Sequence, residues 1–219
     1  MHKVIAADIF VYLDTVQFTK NGLQNRNQIK TSQAALWLTV PVKHAFGQKI
    51  HEVQIADTNI MSKHWKTLQA NYSHTPGFNR WHEELKNFFE REFTSLADLA
   101  IASTEWMLEK LNVQTKRVRA STLAGIEGEA SKLVAAICNA LSATDYLTGR
   151  GALAYLDVTD FAKIGCEVHV QRWTPLTYSQ AHANVGFVPD LSTLDLLLNC
   201  PDTADEMIAA AGSWTALDQ

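Results

Sequence analysis

The run from Ile5 to Leu13 is apolar except at Asp8 and rich in Ile, Phe, Val and Tyr, a pattern that predicts a strand covered on both faces. Leu36 to Val42 predicts a second strand, placed at an edge or ending at Pro41, which has no N–H for a ladder bond. Ile50 to Ile55 alternates apolar and polar and predicts a half-exposed third strand. From Ser62, a reasonable N-cap, the spacing turns helical: Trp65, Leu68 and Tyr72 share a face. Punctuation at Ser73–Gly77 precedes a second amphipathic helix marked by Trp81, Leu85, Phe88 and Phe89. Ser95 with Asp98 is a capping-box signature for a third, which carries Leu96, Leu99, Trp106, Met107 and Leu111. A further helix opens near Glu129–Ser131, Gly165–Val170 alternates as a strand, and Ser192 with Asp195 caps a last helix through Leu198. This order predicts an α/β fold, a layered sheet with flanking helices and a largely helical block over 62–112, within a single domain over 1–219.

Composition adds exclusions. Hydrophobic residues make up 47% and charged residues 19%, enough for a packed core and unlike a disordered chain. A net charge of -4 without a basic cluster argues against a nucleic-acid partner. The chain lacks an apolar run long enough to span a membrane, and its first residues are too short and acid-bearing for a secretory signal, so a cytoplasmic protein is expected. Cys138, Cys166 and Cys200 lack CxxC spacing and the eight histidines form no HxxxH or HExxH pair, so no metal site is legible.

Candidate chemistry concentrates between Phe10 and Ile29. Asp14, Gln17, Lys20, Asn21, Asn25, Arg26 and Asn27 crowd into fourteen residues beside a predicted strand. Asn and Arg offer planar, multi-donor bonding suited to sugars, phosphates or carboxylates, and a strand end is where α/β proteins bind ligands. The competing reading is a solvated loop, in which Asn21-Gly22 makes an ordinary turn. Thr148-Gly149-Arg150-Gly151 reads either as a helix C-cap with a turn or as a backbone nest for an anion. Asp195 reads either as a buried acid or base or as a capping carboxylate, and Cys200 either as inert core or as a nucleophile. His64, Trp65, His74, Trp81 and His82 populate the helical block, where aromatics at helical spacing are mostly core.

Several stretches stand in a distinctive order: Asp8-Ile9-Phe10-Val11 with Asp14, Gln17-Phe18, Asn25-Arg26-Asn27 with Ile29-Lys30, and Trp37 to Val42. Tyr146-Leu147 with Gly149, Tyr155-Leu156-Asp157, Tyr178 with Gln180, and Phe187-Val188-Pro189 running into Leu191 to Leu197 follow. Together, from Ala7 to Cys200, they resemble the WbqC-like family of bacterial proteins associated with surface polysaccharide and O-antigen gene clusters. The resemblance implies a transferase that makes or decorates nucleotide-linked sugars, for instance by aminoacyl transfer to an amino sugar. It also implies a nucleotide-sugar substrate, with Asp14 and Asp195 as catalytic candidates and Gln17, Asn25, Arg26, Lys30, Gly149, Arg150, Tyr155 and Gln180 as substrate-binding ones. Arg26, Lys30 and Arg150 are the donors available to substrate phosphates. The family's usual opening strand with a His-Gln-Pro segment has no counterpart before Met1, so the chain is expected to begin inside the helix after it. That His-x-Pro feature is similar to those of ATP-binding nucleotidyltransferases, which makes ATP the cofactor to test. A non-catalytic scaffold of a polysaccharide-synthesis assembly remains the alternative, and homo-oligomerisation stays open.

Overall fold

A computed structural model describes residues 1–217; Asp218 and Gln219, the last two of the expected domain, lie outside the described residues. In chain order the first elements are α1 (His2–Ile5), β1 (Ile9–Tyr12), β2 (Arg26–Lys30), β3 (Ala35–Thr39), β4 (Val42–Lys43) and β5 (Gln54–Ile55). The helical stretch α2 (Ile60–Tyr72), α3 (Pro76–Arg80), α4 (His82–Phe89) and α5 (Leu96–Lys110) follows. Then come β6 (Lys116–Arg119), α6 (Ala130–Ala140), β7 (Asp145–Thr148), α7 (Val158–Ala162), β8 (Glu167–Trp173), α8 (Thr193–Asn199), α9 (Ala204–Ala210) and β9 (Gly212–Ala216). The class is α/β with a helical middle, as the pattern predicts. No helix of the described residues is long and apolar enough to cross a membrane.

Contacts divide the chain into two compact units. The first contains Met1–Leu13, Gln114–Thr174 and the residues from Ile208 onward; the second contains Asp14–Val113 and Pro175–Met207.

In the first unit β1 pairs in parallel with β6, from Ile9 opposite Lys116 to Tyr12 opposite Arg119. A second sheet runs β7–β8–β9, parallel and then antiparallel. Val134, Ala135 and Cys138 lie on one face of α6 and pack with Phe161, Cys166 and Val168 into a buried cluster. The second unit is built on the antiparallel hairpin β2–β3, with Arg26 opposite Thr39 and Lys30 opposite Ala35. Its apolar centre joins Ile55, Met61, Phe88, Phe93 and Leu99, with a neighbouring cluster of Phe18, Val53 and Leu96. Helix α5 starts where the capping signature places it: Ser95 Oγ accepts the Asp98 N–H at 3.3 Å.

Three expectations need correction. Ile5 to Leu13 is not one strand, because His2–Ile5 turns as α1 and the strand begins at Ile9. Ile50 to Ile55 is a 3₁₀ turn over Ile50–Glu52 followed by a two-residue strand. Its polar residues, expected to face solvent from a strand, instead fasten the turn: His51 N–H donates to the Asp14 carbonyl at 3.0 Å, and Lys49 N–H to Glu52 Oε2 at 2.8 Å. Helix α2 begins before Ser62, after Asn59, because the Asp57 carboxylate accepts the Asn59 N–H at 3.0 Å and pairs with Lys63 at 2.9 Å.

Candidate functional site

Asn25 and Arg26 open β2. Asn25 and Val40 close the end of the hairpin, since the Asn25 carbonyl accepts the Val40 N–H and Asn25 Nδ2 donates to the Val40 carbonyl, both at 2.8 Å. Trp37 stands two residues along β3 from the rung that Arg26 shares with Thr39, a diagonal position within reach of a long side chain. The Arg26 guanidinium accordingly lies over the Trp37 ring, 4.3 Å from its centroid, and one of its nitrogens donates to the Asn21 carbonyl.

Behind this hairpin end is a cavity of about 270 Å³. The start of β2, helices α2, α4 and α5, and the first residues of α8 line it, it is open on one side, and most of its wall is apolar. On α5 the spacing of Leu99, Ser103, Trp106 and Met107 turns one helical face toward it. Buried side-chain nitrogen and oxygen atoms nearly always find partners. Among the described residues Thr15 Oγ1, Asn25 Oδ1, Arg26 Nε and Trp106 Nε1 do not. The last three belong to residues lining this one cavity.

His64 lines the cavity as well and is buried. Burial holds its imidazole below the ordinary histidine range, with the Thr39 backbone opposing in part. The ring is therefore mostly neutral near pH 7, and a neutral imidazole has one nitrogen able to accept a proton.

A buried polar network lies outside the cavity wall in the same unit. Lys30 is 1% exposed, Tyr72 and Asp195 0%. The Tyr72 hydroxyl accepts the Lys30 N–H at 2.8 Å and donates to Asp195 Oδ2 at 3.3 Å. Asn199 Nδ2 donates to the Asp195 carbonyl at 2.7 Å and to Oδ1 at 3.0 Å. Burial pushes the Asp195 carboxyl up to about 6, although Tyr72, Lys30 and Asn199 favour its ionised form. Lys30 Nζ donates to the Gly186 carbonyl at 2.5 Å, Gln180 makes two hydrogen bonds with the Val188 backbone, and the Asn199 side chain accepts the Ala181 N–H at 2.7 Å. The segment between Pro175 and Leu191 is thus held by side chains, because it lacks strand pairing of its own.

The expected site residues therefore divide. Asn25 and Arg26 line the cavity. Lys30 and Asp195 meet in the buried network, and Gln180 braces the segment that Lys30 holds. Asp195 is not an exposed capping carboxylate; the cap of α8 is Ser192 Oγ, which accepts the Leu194 N–H at 3.3 Å. Asp14 is buried and its carbonyl accepts from His51, whereas Gln17 is exposed and bridges Lys49. Gly149, Arg150 and Tyr155 belong to the first unit. Gly149 follows β7 rather than a helix, with extended backbone (φ -98°), and Arg150 opens a 3₁₀ turn that ends at a half-exposed Tyr155. Gly149 and Gly151 are absent from the left-handed positions, so the segment does not form the alternating nest that cradles phosphate, and the alternative helix C-cap is not formed either.

Two other clusters bear on chemistry. Asp145, Glu167 and His169 in the first unit bring potential metal-ligating atoms within 4.8 Å of one another, but His169 Nε2 already lies 2.8 Å from Asp145 Oδ1 in a surface pair. All three cysteines are free. Burial pushes the Cys138 thiol up to about 12 and raises Cys166 and Cys200, and Cys200 Sγ faces the Ser179 carbonyl at 3.8 Å, so none is an activated nucleophile.

Sequence reasoning missed His64, Trp106 and Tyr72 as functional positions. Each falls on the apolar stripe of its helix, so periodicity assigns it to the core. Only the polar tip distinguishes it, and the partner of that tip is set by packing.

Comparison with known proteins agrees with the order of motifs. The chain is 32% identical over 197 residues to the uncharacterized protein Rv1507c of Mycobacterium tuberculosis, an overlap of 88% of this chain and 84% of that protein. No solved structure matches. The profile of the WbqC-like protein family matches residues 1–207, and the chain belongs to that family.

Proposed function

We propose that this chain is a transferase in the synthesis or decoration of nucleotide-linked sugars, binding its substrate at the Asn25–Arg26 wall of the cavity. Family membership suggests a polysaccharide-related role. The observation that carries the reading is the gathering of three unpartnered buried polar atoms around one cavity beside the Asn25-Arg26-Asn27 segment. A guanidinium already stacked on Trp37 is pre-oriented toward an anionic or hydroxyl-rich ligand, which reduces the entropy lost on binding.

In this reading the acceptor is an amino sugar. Its neutral amine attacks an activated acyl carbonyl, the carbon–nitrogen bond forms, the bond to the leaving group breaks, and the proton released by nitrogen passes to neutral His64. Asp195, which lies outside the cavity lining, acts as an orienting group by holding Tyr72 and, through it, the backbone of β2. No step is assigned to ATP. Work on nucleotide-linked precursors belongs to the cytoplasm.

Calorimetry of the full chain against uridine and thymidine diphosphate amino sugars, with ATP in parallel, tests the proposal. Binding is expected, with a loss of at least about tenfold in the Asn25→Ala plus Arg26→Ala variant, the scale of one charge-assisted hydrogen bond. Equal affinity in wild type and variant, or no binding by wild type, overturns it.

A second reading, a non-catalytic scaffold, is favoured by the exposure of Phe46 (100%), Leu23 (73%) and Trp37 (40%) in the same unit. Co-purification with glycosyltransferases, undiminished in the double variant, would support it over the first.

A further inference from the structure

The unpartnered atoms around the cavity have defined hydrogen-bonding roles. Trp106 Nε1 and Arg26 Nε can only donate. Asn25 Nδ2 is engaged by the Val40 carbonyl, which identifies the unpartnered atom as the amide oxygen, an acceptor. The cavity thus asks its occupant for two acceptor sites and one donor. A secondary amide supplies this set from three atoms, since its carbonyl oxygen has two lone pairs and its nitrogen one hydrogen. An ester lacks the donor. A carboxylate lacks it too.

The rest of the wall is mostly apolar, including Leu68, Leu85, Phe88, Leu99 and Met107, with His64, Ser103 and Thr104 as polar points between them, a lining that suits a hydrocarbon chain better than a sugar ring or a phosphate. A dry apolar cavity of about 150 Å³ accommodates a benzene molecule. A cavity of about 270 Å³ is nearly twice that size, room for on the order of ten non-hydrogen atoms. With three taken by the amide, an aliphatic tail of about five to seven carbons remains.

We infer that the cavity is an acyl pocket, whose occupant is the N-acyl group of a sugar carrying a medium-length aliphatic chain. The inference rests on reading the cavity as the ligand site and names the group that the proposed function transfers: a medium-length acyl chain, held in the cavity as the amide of the product. Arg26 lies at the junction, its Nε the donor left for the amide while the rest of its guanidinium is engaged by Trp37 and Asn21.

The test uses the full chain and glucosamine N-acylated with acetyl, butanoyl, hexanoyl, octanoyl and dodecanoyl groups, with octyl glucoside as a tail lacking the amide. Affinity measured by calorimetry should rise about fourfold per methylene through hexanoyl and stop rising by dodecanoyl. Octyl glucoside should bind at least about tenfold more weakly than the octanoyl amide. Leu99→Trp, which fills the cavity, should abolish the dependence on chain length. Ser103→Leu narrows the same wall at a half-buried position and gives a second readout if Leu99→Trp fails to fold. Trp106→Phe should weaken the amides while leaving octyl glucoside unchanged.

Affinity independent of chain length, or equal binding of octyl glucoside and the octanoyl amide, overturns the inference. A flat series beside intact nucleotide-sugar binding leaves the proposed function standing without the acyl pocket. A steep series without nucleotide-sugar binding keeps the acyl pocket and removes the nucleotide sugar.

Discussion

Replacing Asp195 by asparagine should change how stability depends on pH, by an amount the buried network sets. The carboxyl is fully buried, and burial moves it from an ordinary value of 3.8 up to about 6. Between those two values the folded chain keeps a proton that the unfolded chain has released. The folded state then binds more protons than the unfolded state, so stability falls as pH rises through this window. The shift of roughly two units corresponds to about 3 kcal/mol, present below pH 4 and lost by about pH 7. The substituted amide would have nearly the same shape and retain an oxygen to accept from Tyr72, but it does not titrate. The stability of Asp195→Asn minus that of wild type should therefore grow by up to about 3 kcal/mol between pH 4 and pH 7. The attraction between the ionised carboxyl and Lys30 is already contained in the value of about 6, so it adds nothing further to the slope. His64 tilts the other way: its lowered value contributes stability above the unfolded histidine range that is lost as pH falls through the folded value. It is present in both proteins and cancels in the difference. Urea unfolding at half-unit pH intervals measures this, with a relative midpoint shift on the order of 1–2 M. Parallel profiles for the two proteins would refute the reasoning.

Tyr72→Phe leaves the Lys30 N–H without its acceptor in a buried site, and should destabilise the fold by roughly 1–3 kcal/mol in urea. It should also raise the apparent Asp195 value further, since the tyrosine hydroxyl favours the carboxylate; an unchanged pH profile would count against the network. At Gly77 on α3 an added methyl would stand 2.7 Å from Leu198 Cα and press on the Leu197 carbonyl. Gly77→Ala should therefore destabilise by roughly 1–3 kcal/mol, and an unchanged melting temperature would contradict the close approach of α3 and α8. Native alkylation at pH 7 should be slow at Cys138 and Cys166, which burial keeps protonated, and fast only after unfolding. Rapid labelling of either thiol in the native protein would show that it is not enclosed as described.

Much of the local structure was legible because it depends on near neighbours. The Ser95–Asp98 pair announces α5 by chemistry contained within four residues, and Leu68 and Tyr72 are buried on the face their spacing assigns. Boundaries were legible less well where a remote partner competes: the Ile50–Ile55 alternation is strand-like, yet the Asp14 carbonyl captures His51 and a turn forms. Of the candidate site, Asn25 and Arg26 were visible as polar residues out of place beside a core. Lys30 and Asp195 were visible singly, but not as members of one network.

The sequence by itself determined the α/β class, the helical middle and the family, because periodicity, capping residues and motif order act along the chain. Tertiary structure alone decided that Trp106 and His64 border the same cavity as Asn25 and Arg26, and that Tyr72 joins Lys30, 42 residues before it, to Asp195, 123 residues after it. The physical reason lies in the polar tips. Burying a side chain follows from its apolar body, which the pattern shows, whereas the state of an indole N–H, an imidazole or a carboxyl depends on which distant atom packing brings against it.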